Sequence, residues 1–326
     1  MQSETARHFM RDGDPDPTPK QPPELGTGGV RTVSIPYAAL LAGALAIGLS
    51  PILIRVSELT PLATAFHRVA LAVPLLLVAA LVTSGPAAAR EPLSPRSVMW
   101  LIFAGALFAI DLACLHFALA HTAVANAMLL LNLAPFFVAL FSWLFLGERV
   151  SRQVLAWLTL ALVGLGLLLM GDAGMPSGHL FGDMLALAAG AAYGGYLTVI
   201  GRGAKVATAT AMIISTAACS AFLLPVVLFK GETLLASTLV GWLVLLGLAL
   251  VVHALGQGLI AYGLARTRAT AATALLLLQP VISALAAWAV FDERLGPLRL
   301  AAAALVLFAV YRCQRLRPGR SSEPPA

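Results

Sequence analysis

The chain has 326 residues, of which 60% are hydrophobic and 11% charged, whereas soluble domains carry about 25% charged residues. That balance excludes an ordinary soluble domain. In so apolar a chain the net charge of +6 is no footprint of nucleic acid, and its placement in loops is the informative part. Three scattered cysteines, Cys114, Cys219 and Cys313, form no metal or disulfide motif. No HExxH, GxSxG or phosphate-loop pattern occurs either, so no cofactor, metal or catalytic residue is predicted and any transport would run on gradients.

Residues 1–33 hold Asp12, Asp14, Asp16 and five prolines and are expected to form a disordered cytoplasmic tail with no cleaved signal peptide. A bilayer core needs about 20 apolar residues per helical span. Ten such runs come after the tail, at 34–54, 62–83, 97–119, 123–146, 154–171, 181–200, 208–229, 238–263, 271–290 and 297–312. The last is the weakest, and its Arg299 is expected to reach for the membrane interface. Residues 313–326 are a basic cytoplasmic tail. The fold class is therefore an all-α membrane protein of ten transmembrane helices, in contact with a lipid bilayer.

The fourth and ninth spans repeat one another. Residues 119–149 read LAHTAVANAMLLLNLAPFFVALFSWLFLGER and residues 264–294 read LARTRATAATALLLLQPVISALAAWAVFDER. At the constant offset 264 − 119 = 145, Thr122 meets Thr267, Pro135 meets Pro280, Trp143 meets Trp288, and Glu148-Arg149 meets Glu293-Arg294. The chain is read as two copies of one unit, residues 34–171 and 181–312. Each copy has an odd number of spans, five, so the second is expected to lie upside down relative to the first.

Lys and Arg set the orientation. With both termini inside, the cytoplasmic segments hold Arg7, Arg11, Lys20, Arg31, Arg90, Arg96, Arg149, Arg152, Arg202, Lys205, Arg266, Arg268, Arg312, Arg315, Arg317 and Arg320. The opposite side holds Arg55, Lys230, Arg294 and Arg299, with Arg68 inside a span. This is a positive-inside pattern with cytoplasmic termini in the inner membrane. Inverted repeats are the architecture of secondary transporters, in which two similar halves expose a midplane site alternately.

Several residues carry a family resemblance: Phe66-His67-Arg68, Asn132 to Pro135 running on to Gly147-Glu148-Arg149, Gly182-Asp183, and Gln279-Pro280 to Asp292-Glu293-Arg294. With these the chain resembles the drug/metabolite transporter superfamily, in particular its EamA-type ten-helix exporters, over about residues 34–312. The resemblance implies two inverted five-helix bundles that export small metabolites, with aromatic and neutral amino-acid exporters the most similar branch. A multidrug/proton antiporter and a nucleotide-sugar carrier are the alternatives within transport. An intramembrane enzyme acting on lipid-linked substrates, with His and Asp as acid and base, is the alternative outside it.

Polar side chains within spans are costly and mark a pathway by default. They are His67 and Arg68, Asp111 and His116, Asn126 and Asn132, Tyr193 and Tyr196, His253 and Gln257, and Gln279. At 1.5 Å per residue, Arg68 lies about 9 Å and Asp111 about 12 Å below the same face, a depth that permits an ion pair. Such a pair would pin two helices, or would bind the carboxylate and ammonium of a zwitterion. Asp111 and His116 are about 140° apart around their helix and do not share a face, whereas His253 and Gln257, four apart, do. Histidines could relay protons or simply hydrogen-bond a neighbouring helix, and the tyrosines could stack on cargo or pack. Pro135 and Pro280 each remove a backbone donor and are read as hinges, with Asn132 and Gln279 pointing inward. Gly43, Gly48, Gly190, Gly194 and Gly195 are expected at close helix contacts. Trp143 and Trp288 are expected to be structural. The partners predicted are a small-molecule substrate and the bilayer, with protons as an optional coupling ion and a monomer sufficient.

Overall fold

A computed structural model describes residues 28–88, 93–122, 124–148, 150–170, 180–203, 206–267, 272–291 and 296–316. The proline-rich part of the tail up to residue 27, Arg149, the Asp292-Glu293-Arg294 triplet and residues 317–326 lie outside the described residues. Residues 28–34 are helical, and the membrane bundle is built from residues 35–316.

Among the described residues, ten helices are long and apolar enough to cross a membrane. They are α1 (Ile35–Arg55), α2 (Pro61–Val82), α3 (Pro95–Leu119), α4 (Asn126–Leu146), α5 (Arg152–Leu169), α6 (Leu180–Gly201), α7 (Thr208–Phe229), α8 (Leu239–Leu264), α9 (Ala274–Phe291) and α10 (Pro297–Arg315). The expected boundaries hold to within a few residues, and the last span reaches Arg315. Large apolar side chains point outward, with Phe229 92%, Val82 79% and Phe145 72% exposed. That is the surface expected where lipid is the solvent. Trp143 and Trp288 belong to this outer surface, at 57% and 53% exposed, so their matched positions face outward rather than into packing.

Local chemistry explains the helix ends. Ser94 caps α3 by accepting the Ser97 N–H at 3.1 Å, with Pro95 in the first turn. Thr238 caps α8 by accepting the Gly241 N–H at 3.0 Å. α4 stops at Gly147, whose φ of +67° is the left-handed conformation that glycine adopts without strain.

Both matched proline helices are irregular at equivalent places. α4 breaks at Asn132-Leu133, and the Asn132 side-chain amide donates to the Met128 carbonyl at 2.7 Å. α9 opens with a tight 3₁₀ turn, Ala274–Leu277, just ahead of Pro280. A proline leaves one helical carbonyl without its donor, and the turn before it adjusts.

Helix packing follows the 145-residue offset. α3 packs on α6 and α7, α2 on α7 and α8, α4 on α6, and α5 on α10. Small residues permit the close approaches. A Cβ at Gly194 of α6 would stand 2.6 Å from the Phe137 Cβ and 2.9 Å from the Ala134 carbonyl oxygen of α4. One at Gly43 of α1 would stand 2.7 Å from the Gly256 carbonyl oxygen of α8, and one at Gly48 would stand 2.7 Å from Ile282 of α9. Shifted by 145 residues, the pairs α3–α6, α3–α7 and α4–α6 become α8–α1, α8–α2 and α9–α1.

Candidate functional site

A cavity of about 820 Å³ opens at the end of the bundle where α1, α3 and α9 finish and α2, α4 and α10 begin. Its polar lining includes Arg55, Arg68, His116, Asn132, Gln279 and Arg299, with Tyr193 at depth. The two matched prolines, Pro135 and Pro280, stand in its wall beside Asn132 and Gln279. The irregular turns of α4 and α9 therefore place Asn132 and Gln279 in the cavity lining.

Arg68 comes from α2, half-buried, its guanidinium carbon 5.7 Å from the centroid of the Phe108 ring. Below it the cavity is closed by an aromatic stack. Phe108 lies 4.6 Å from Tyr196 and 5.7 Å from His253, and Tyr193 lies 6.1 Å from Tyr196, ring centroid to centroid. Tyr196 is fully buried, with its hydroxyl 3.8 Å from the Met212 sulfur, and His253 Nε2 pairs with the Thr216 hydroxyl at 2.9 Å. His253 sits in a π-helical stretch of α8, Leu248–Gln257, a geometry frequent at functional sites. Tyr196, His253 and Gln257 are thus part of the seal below the cavity and not of its lining.

The remaining candidates divide in the same way. His116 lines the cavity and donates from Nδ1 to the Leu112 carbonyl at 2.5 Å. His67 turns aside: it is buried, its Nδ1 is 2.9 Å from the Ala63 carbonyl, and its ring meets the Trp242 edge at 5.9 Å. Asn126 is half-buried and outside the lining.

Asp111 is 5% exposed and also outside the lining. It lies within Coulombic reach of Arg68, but no direct ion pair forms. Arg68 Nε and Asp111 Oδ1 are both buried without a hydrogen-bond partner. The zwitterion site expected at these two residues is not assembled in this conformation, because Asp111 lies behind the wall that Arg68 penetrates. Gln257 Nε2, Gln279 Nε2 and Arg299 Nε share that condition. Buried polar groups are as a rule satisfied, and three residues of the cavity lining, Arg68, Gln279 and Arg299, depart from that rule.

Sequence reasoning missed two arginines. Arg299 was expected at the membrane interface, and Arg55 was counted with the loops, yet both line the cavity. Arg55 lies over the Phe291 ring at 4.2 Å. The signal available for Arg299 was its position two residues inside the weakest span.

At the mouth end the two halves of the chain are tied together by side chains. Thr122 donates to Asp183 at 2.6 Å, and Thr60 donates to Glu232. Glu58 accepts from the Thr238 hydroxyl and from the Ser237 and Thr238 N–H groups, the last two at 2.9 and 3.2 Å. Led by the Thr238 hydroxyl, these bonds hold the exposed Glu58 carboxyl below its ordinary pKa.

A helical membrane bundle around a polar cavity, with a stacked seal beneath it, defines a polytopic transporter of small molecules. The EamA-like transporter family model matches residues 34–170 and again residues 180–312. The chain belongs to that family, within the drug/metabolite transporter superfamily, and is a transporter rather than an enzyme. It is 29% identical, over 70% of its length and 78% of the relative's, to the pseudopaline exporter CntI of Pseudomonas aeruginosa. It is 32% identical to an uncharacterised transporter of Archaeoglobus fulgidus, over 59% of this chain and 68% of that one. One crystal structure superposes with a TM-score of 0.73 at 20% identity, covering 86% of this chain and 96% of the other. That likeness concerns the fold alone.

Proposed function

We propose that this transporter exports small metabolites of the amino-acid type, aromatic and neutral amino acids first among them. The route is alternating access through the cavity between two inverted five-helix repeats, residues 34–171 and 181–312. It would sit in the inner membrane with both termini cytoplasmic, as the positive-inside pattern indicates. The cavity would then face the outside and the aromatic stack would close the cytoplasmic route. One protomer encloses the whole path, so a monomer suffices.

The observation that carries this reading is the arginine-containing cavity closed beneath by Phe108, Tyr193, Tyr196 and His253. A guanidinium in a low-dielectric pocket is the natural receptor for a carboxylate, and Tyr193 offers a stacking face beside it. Export by the Pseudomonas aeruginosa relative supports the direction of transport. The packing pairs that map onto one another at the 145-residue offset support the repeat, and repeats of this kind rock about a fixed site.

Proton-coupled antiport is the second reading, favoured by Asp111 as a buried acid beside Arg68 with one oxygen unpartnered. Such a carboxyl can exchange a proton when the seal shifts. Uptake of radiolabelled phenylalanine and leucine into proteoliposomes, with and without a pH gradient, tests both readings when wild type is set beside Asp111→Asn. Saturable uptake without a gradient supports facilitated export. Flux that needs the gradient and is lost in the variant makes Asp111 the proton carrier, and no flux of either amino acid overturns the cargo assignment.

A further inference from the structure

Among the described residues, the charged side chains that line the cavity are Arg55, Arg68 and Arg299. None of the described acidic side chains lines it. Glu58 is held at the start of α8, Glu232 accepts the Thr60 hydroxyl and Asp183 the Thr122 hydroxyl. Asp111 is buried behind the wall, and Glu148 follows α4 at the far end of that helix. A zwitterionic amino acid would bring its ammonium beside the Arg68 and Arg299 guanidinium groups, with none of the described carboxylates in the lining to receive it.

The orphaned donors point the same way. Arg68 Nε, Gln279 Nε2 and Arg299 Nε all belong to lining residues and lack hydrogen-bond partners among the described residues. They are set at two levels. Arg299 lies two residues from the start of α10 and Arg68 seven from the start of α2, which places them about 3 Å and about 10 Å below the mouth. Between these levels the wall is mostly apolar, with Leu112, Leu115, Met128 and Leu131, and its polar groups there include the uncharged Thr64 and His116. A ligand that satisfies this pattern has an anionic group at each end and an apolar middle.

We propose that the cavity is a dianion site: Arg68 binds one carboxylate at depth, Arg299 binds a second near the mouth, and the cargo is an amino-acid derivative with two carboxylates and a masked or absent ammonium. This rests on the reading of the cavity as the pathway for amino-acid-type metabolites, and it moves the preferred cargo from the free neutral amino acids to their dianionic derivatives. Anions are also drawn in by the field of the Arg68 and Arg299 guanidinium groups in a low-dielectric funnel.

The test is uptake into proteoliposomes of three radiolabelled ligands that share one aromatic group. Phenylalanine is zwitterionic, N-acetylphenylalanine is a monoanion and N-succinylphenylalanine is a dianion. The dianion is expected to be taken up best, by on the order of tenfold or more over the monoanion, since a charge-assisted hydrogen bond contributes about 1.5–3 kcal/mol. Phenylalanine is expected to be the poorest. Arg299→Gln should collapse the ratio of dianion to monoanion flux, and Arg299→Lys should restore part of it. Phenylalanine as the best cargo overturns the dianion site and leaves amino-acid export standing. Equal flux of the two anions overturns the second carboxylate contact. Flux of none of the three, in protein that is monodisperse in detergent, overturns both this inference and the export reading it rests on.

Discussion

The two ends of the cavity are built on opposite principles. At the mouth and along the walls, polar groups stand half-buried with unsatisfied atoms, as Arg68, Gln279 and Arg299 do. Beneath them, polar groups are buried and most are met: His253 by Thr216, the Tyr196 hydroxyl by Met212, and the rings by one another. The difference teaches that burial and function separate here. The seal is stabilised by packing, and the cavity is left for something else to satisfy. Substitutions in the seal should therefore cost stability first, and substitutions in the lining should cost transport first.

The largest effect expected is on the seal. Tyr196→Ala deletes a fully buried aromatic ring and should cost about 3–5 kcal/mol, the range for aromatic truncations in cores. A large fall in melting temperature in detergent checks it. Arg68→Gln should do the reverse and keep a melting temperature near that of the wild type while uptake falls on the order of tenfold to a hundredfold. If Arg68→Gln unfolds the protein and Tyr196→Ala leaves it stable, the distinction between the two ends is wrong.

Gly194→Ala probes the seam beside the first hinge. Its Cβ would meet the Phe137 Cβ at 2.6 Å, and overpacking of this kind costs about 1–3 kcal/mol, to be read as a smaller melting shift than that of Tyr196→Ala. Thiol labelling then sharpens the boundary between the ends. In a cysteine-free background, Ser283→Cys in the lining should react with an impermeant reagent from the mouth side. Thr216→Cys, 1% exposed in the seal, should not.

The smallest effect is at Glu58, outside the spans. Its carboxyl is held below the ordinary carboxylate pKa by the bond from Thr238 and the adjoining N–H groups. Its contribution is therefore complete above the unfolded-state pKa and is lost as the pH falls through the lower folded value. The hydrogen-exchange rate of the Ser237 and Thr238 amides, relative to the intrinsic rate at each pH, should rise only on acidification below the ordinary carboxylate range. Glu58→Gln should make it high at every pH.

The sequence alone determined the solvent, the span count and the matched helices, because these are written in local composition and in a repeat at one offset. Runs of about 20 apolar residues cannot be anything but buried or in lipid, and a proline's effect on its own helix does not depend on distant packing. The position of Pro135 and Pro280 in one wall, with Asn132 and Gln279 beside them, was legible for that reason. Tertiary structure decided which side of each helix faces the cavity. His67 and Arg68 are neighbours about 100° apart around α2, and helix rotation sends one to Trp242 and the other into the cavity. Asp111 and Arg68 share a depth, but depth says nothing of the wall between them. Arg299 and Arg55 sit at helix ends, where sequence cannot tell an interface from the mouth of a cavity. Only the arrangement of neighbouring helices makes that distinction, because it alone decides whether lipid headgroups or an enclosed space lies within reach of the guanidinium.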